Sequence, residues 1–148
     1  MNLLTEPLRH HHKHCDDLFV AAEAAAAASN WPQCQALLSR LGDAIDDHFC
    51  TEESVLFPAF EAATGMAGGP TQMMRGEHAR MRELLGQMRS AQTAQAGDAF
   101  AGAAETLLVF MQQHNLKEEN ILYPMCDRAL AAQSEGLAAQ LQESLVPR

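Results

Sequence analysis

Several things are scarce in this 148-residue chain. Aromatic residues make up 5% of it, with one Trp and one Tyr, and Val, Ile and Thr are few. A sheet protein draws on those residues, so a β architecture is disfavoured and the Ala, Leu, Met, Glu and Gln that fill their place favour helices. Basic residues are outnumbered, 10 against 19 acidic, for a net charge of −9. Such a surface repels phosphate backbones, which argues against nucleic acid as a partner. No apolar run approaches the roughly 20 residues that span a bilayer. The polar stretch Pro7 to His14 leaves no room for the apolar core of a signal peptide, so a cytoplasmic protein is expected. The four cysteines (Cys15, Cys34, Cys50, Cys126) form no C-x-x-C pair and no regular framework, which reads as buried free thiols in a reducing compartment.

What is present is a repeat. His48-Phe-Cys-Thr-Glu52-Glu53-Ser-Val-Leu-Phe-Pro58 returns 66 positions later as His114-Asn-Leu-Lys-Glu118-Glu119-Asn-Ile-Leu-Tyr-Pro124. Leu8 to Phe19 lines up with Met74 to Leu85 at the same offset. Two copies of one helical pair are therefore expected, related by an approximate two-fold axis.

Periodicity places four helices. Helix A runs from about Leu4 to Ser29 with Leu8, His12, Cys15, Phe19 and Ala22 on one face, and Asn30-Trp31-Pro32 stops it. Helix B reaches about Ala63 on the stripe Leu37, Leu41, Ile45, His48, Glu52, Val55, Ala59. Thr64 to Pro70, with three glycines, breaks the chain. Helix C spans about Thr71 to Gln95 on Met74, His78, Met81, Leu85 and Met88. Asp98 is the expected N-cap of helix D, whose stripe is Leu107, Met111, His114, Glu118, Ile121, Met125. Pro58 and Pro124 are expected to kink or end their helices. A weaker pattern from Ser134 to about Ser144 fits a short terminal helix, with an apolar face that can support a homodimer. Four such helices with short connections make one all-α, antiparallel up-down four-helix bundle over residues 1–144. Leu145-Val-Pro-Arg148 resembles what thrombin leaves of a purification tag and is set apart.

His48 and Glu52, like His114 and Glu118, lie one turn apart on the inward face. A buried carboxylate there costs several kcal/mol unless it is paired or bound to a cation. Two facing carboxylates repel as well. Cations between them remove both penalties, and a set of four imidazoles and two carboxylates suits iron or manganese. On helix A, phase alone admits His11 or His12. The repeat decides for His12, since His12 to His48 and His78 to His114 are both 36 steps. His10, His11 and His14 are read first as a solvated cluster and second as support or access. Glu53 and Glu119 are expected to hydrogen-bond ligand histidines from outside or to be surface charge. Tyr123 and Phe57 are read as core, and Met73, Met74, Met81 and Met88 as adaptable packing.

With these residues on the page, the chain resembles the hemerythrin-like HHE cation-binding family over about Leu8 to Met125. Glu52-Glu53-x-x-Leu-Phe-Pro58, Gly69-Pro70-x-x-x-Met74 and Glu77-His78 are most similar to the di-iron domain of proteins that repair iron centres, without the N-terminal cysteine domain those proteins carry. The resemblance implies two non-haem iron ions, with manganese or zinc as substitutes. His12 and His48 would bind one, His78 and His114 the other, with Glu52, Glu118 and an oxo or hydroxo group as bridges. Oxygen-carrying members have a further histidine where Arg82 stands and an Asp-containing motif on helix D. Four histidines shift the expectation from oxygen carriage toward a protein that reacts with or senses oxygen, peroxide or nitric oxide, without a defined turnover activity. The alternative is a non-redox module that stores or donates metal.

Overall fold

The computed structural model describes residues 3–146 and is 88% helix, with no strand among the described residues. Helix α1 is Glu6–Ala27. Helix α2 is Trp31–Thr51, continued through a π-helical turn Glu52–Leu56 into Phe57–Thr64. Helix α3 is Pro70–Thr93, and α4 is Gly97–Lys117, a π turn Glu118–Leu122 and Tyr123–Ala129. A short α5, Ser134–Ser144, follows a 3₁₀ turn. The expected helices are all present, and the offset of 66 recurs in the structure: it separates the two π turns, the helix ends Ala27 and Thr93, and the left-handed Ser29 (φ 54°) and Gln95 (φ 52°).

Local chemistry explains the boundaries. The Asn30 side chain accepts from the Gln33 amide and Pro32 fits the first turn of α2, where its missing N–H is no loss. Gly65 ends α2 in the left-handed conformation (φ 71°). Asp98 is not the cap of α4. Ala96 holds that position without a side-chain bond, and Asp98 lies in the first turn, where a negative charge suits the helix dipole.

Helix α1 packs on α2 and α3 on α4, while α2 meets α3, α1 meets α4, and α5 lies against α1 and α2. Apolar residues form two clusters. One holds Phe19, Trp31, Leu41, Met88 and Phe100; the other holds Leu4, Leu8, Phe57, Phe60, Leu130, Leu141 and Leu145. The histidine and glutamate layer lies between them along each long helix.

Of the kink or end expected at Pro58 and Pro124, the end does not occur, since each helix continues past its proline behind a π turn. The π turn ahead of each widens the backbone, with the Phe57 and Tyr123 amides donating five residues back to Glu52 and Glu118. The slip removes the clash a proline ring makes with the carbonyl four residues back. The Glu53 carbonyl, which Pro58 has no N–H to satisfy, accepts from Arg75 Nη1 at 3.3 Å. Two expectations about the helix faces fail. The extra residue rotates the inward face. Leu56, Phe57 and Phe60 are buried in place of Val55 and Ala59, and Leu122 is buried while Ile121 is 57% exposed. Met73 is exposed and so does not share the packing role of Met74, Met81 and Met88. Among the cysteines, Cys15, Cys34 and Cys126 are buried and free, but Cys50 is exposed. Leu145 is buried in the second cluster; Pro147 and Arg148 lie outside the described residues.

Candidate metal centre

All six sequence-selected residues meet in one layer, and all are buried: Glu52, His78 and Glu118 fully, His12, His48 and His114 nearly so. Each long helix supplies its donors because they fall on the stripe that also carries its core residues. His78 Nε2 lies 3.0 Å from Glu52 Oε1, and His114 Nε2 lies 3.2 Å from Glu118 Oε1. His12 Nε2 is 3.1 Å from Glu118 Oε1, and His48 Nε2 is 3.7 Å from Glu52 Oε2. All four rings thus turn Nε2 inward and Nδ1 outward.

Glu52 Oε1, Glu118 Oε2, His78 Nε2 and His114 Nε2 are buried without a hydrogen-bond partner. Orphaned atoms of this kind cost about 1–3 kcal/mol each, and here they converge. One donor atom each from Glu52, His78, His114 and Glu118 fall within 4.8 Å of one another, as do those from His12, His48 and Glu118. Glu118 belongs to both groups. Two adjacent cation positions sharing a carboxylate fit this donor set, and four nitrogens with two carboxylates suit a borderline metal such as iron.

The electrostatics are those of a site built for cations. Burial and the Glu52 charge push the Glu118 carboxyl up. Burial opposes charge on Glu52 too, but the surrounding hydrogen bonds and the His48 and His78 rings hold it well below the usual carboxylate range. His48 falls to about 4, mainly by burial. Burial also works against charge on His114, yet Glu118, Glu52 and Glu77 raise it to about 9.

The outward nitrogens have partners that orient the rings. His78 Nδ1 bonds Glu53 Oε2 at 2.8 Å, and His12 Nδ1 is 3.4 Å from Glu119 Oε1. These are the two glutamates expected outside the donors. Glu77, which periodicity did not single out, bonds His114 Nδ1 at 2.8 Å and Lys117 Nζ at 2.6 Å. Arg82 bonds both oxygens of Glu53 at 3.1 Å.

Two readings of single residues need correction. His11 is not solvated: it is buried, and its Nδ1 faces His48 Nδ1 at 2.9 Å. His10 is exposed and paired with Glu6, while His14 is half-buried beside His11. Tyr123 is core by burial, but its hydroxyl enters the centre, 2.6 Å from Glu52 Oε2 and 3.0 Å from Glu118 Oε1. The signal available was its place in the repeat opposite Phe57, the one aromatic exchange that adds a polar atom. Beside the donors lies a cavity of about 20 Å³ lined by Cys15, Ile45, Phe49, Met81 and Met111, room for about one water-sized molecule.

The family description "Hemerythrin HHE cation binding domain" matches residues 3–126. No curated protein and no solved structure matches the chain. Among the described residues no helix is long and apolar enough to cross a membrane.

Proposed function

Because the chain belongs to the hemerythrin HHE cation-binding family, and its buried donors fit cations, we propose that it is a non-haem di-iron protein that reacts with or senses oxygen, peroxide or nitric oxide. The observation carrying this reading is the shared carboxylate layer: Glu52 and Glu118 buried together, each with an oxygen that makes no hydrogen bond, between four inward Nε2 atoms. The scaffold is an antiparallel up-down four-helix bundle in this reading, since short connections join successive long helices.

His12 and His48 would hold one ion and His78 and His114 the other, with Glu52 and Glu118 between them. The ions would supply redox chemistry with a small ligand. The chain's own residues do the rest. Glu53, Glu77 and Glu119 aim the imidazoles and raise their basicity. Phe49 stacks on His78 at 3.9 Å between ring centres and, with Met81 and Met111, keeps bulk water from the centre. Tyr123 holds a proton at Oη between the two carboxylates, since burial and Glu118 push its phenol well above the ordinary value. The small cavity, with room for about one water-sized molecule, restricts the reactant to a very small one.

Iron analysis with visible spectroscopy tests the proposal. About two irons per chain, with bands that change on adding oxygen, peroxide or nitric oxide, are expected for a bridged two-ion site. Metal uptake with no spectral response to any of the three would favour the storage or donation module instead. Less than about one ion per chain would end both readings.

A further inference from the structure

The repeat makes the two halves of the centre comparable atom by atom, and they are not equal. Each inward histidine presents Nδ1 to an outer partner. For His78, His114 and His12 that partner is a carboxylate: Glu53, Glu77 and Glu119. For His48 it is another imidazole, His11, which occupies the repeat position of Glu77. An imidazole bound through Nε2 keeps its proton on Nδ1 and must donate it. His48 therefore donates to His11 Nδ1 at 2.9 Å, and no carboxylate takes the proton of its Nδ1 directly.

Three independent features follow the same division. His12 Nδ1 is 3.4 Å from Glu119 and makes no proper hydrogen bond, against 2.8 Å for His78 to Glu53. The donor groups number four around His78 and His114 and three around His12 and His48. On the α2–α3 side, Arg82 clamps Glu53 and covers the Phe49 ring at 5.2 Å. At the repeat positions on the α1–α4 side stand Asp16 and Asn115, neither a cation nor an aromatic ring. A surface groove of about 660 Å³ opens there instead, with His12, Asp16, Asn115 and Glu119 among its walls.

We propose that the two metal positions are unequal by construction: the His78/His114 position keeps the resident ion, and the His12/His48 position, with His11 behind it and the α1–α4 groove in front, holds an exchangeable one. His11 is a positioning residue that sets the inequality by acting on His48. The inference rests on the two-ion reading above.

Cobalt(II) titration of the metal-free protein, read by ligand-field bands and by chelator competition, tests it. Repulsion between two ions separates the binding steps in any variant, so the readout is how each step moves. Outer partners of ligand histidines change metal affinity by about 10–100-fold. His11→Glu, which restores the repeat, should tighten the second step by about tenfold or more, alter the bands of the second ion and leave the first step unchanged. Glu77→His, the reverse exchange, should weaken the first step by a similar factor, and it serves if His11→Glu does not fold by circular dichroism. A second step that moves less than about twofold in His11→Glu, or a first step that moves in its place, overturns the inference while leaving the two-ion reading intact. Wild-type protein that takes up fewer than two cobalt ions overturns both.

Discussion

Tyr123 Oη lies 2.6 Å from Glu52 Oε2, and the repeat position in the other half is Phe57, so one side of the carboxylate pair has a hydroxyl and the other a bare ring. The same hydroxyl is 3.4 Å from both His12 Nε2 and His48 Nε2. Tyr123→Phe keeps the ring and removes the donor. A buried acceptor that loses its partner costs about 1–3 kcal/mol, and the metal-free protein should lose about that much in denaturant unfolding. With metal bound, Glu52 has another partner, so the loss should shrink. An equal loss in both forms would mean that the hydroxyl serves packing alone.

Glu52 and Glu118 are expected to differ from their neighbours in kind. Glu118→Gln removes a donor common to both cation positions and should release most of the metal, measured as metal per chain after desalting. Glu53→Ala removes an orienting bond and should weaken binding by about 10–100-fold without emptying the site. Equal effects would put the donor register in doubt. The metal-free fold should respond in the opposite direction. Glu52 and Glu118 repel there, so Glu118→Gln should melt at or above the wild-type temperature.

How far these residues could be read beforehand depended on what the repeat duplicates. The six inward donors recur in register at 66 residues, and a carboxylate on an apolar stripe has few explanations, so that part was legible. What broke the pattern was not. His11 and Tyr123 differ from their repeat partners Glu77 and Phe57, and only packing shows that one puts an imidazole behind His48 and the other a hydroxyl on the centre. The π turns were hidden for another reason. A late proline announces a problem for the helix, but either a break or a one-residue slip solves it, and the slip moved the buried face from Ile121 to Leu122.

Metal removal should be costly to the fold. A ligand at 100 times its dissociation constant stabilises a protein by about 2.7 kcal/mol. In a chain of this size each kcal/mol moves the melting temperature by roughly 2–4 °C, so a chelator should lower it by roughly 5–11 °C. An unchanged melt would mean that the buried layer satisfies itself without a cation.

Loading should also expel protons, and the direction can be worked out from His114. Burial disfavours its charge, but Glu118 above all, with Glu52 and Glu77, raises it from 6.5 to about 9 in the metal-free fold. A raised histidine stabilises the fold fully below about 6.5, and that contribution is lost as pH rises through about 9. A cation competes for the same Nε2, so the sign reverses for binding: affinity should climb between pH 6.5 and 9 as the proton leaves. His48, held near 4, is already neutral there and adds nothing to the slope. Calorimetric titration at pH 7 in two buffers of different ionisation enthalpy should show proton release on metal binding. Metal uptake without proton release would mean that His114 carries no extra proton in the empty centre, so that the raised histidine is not what the cation displaces.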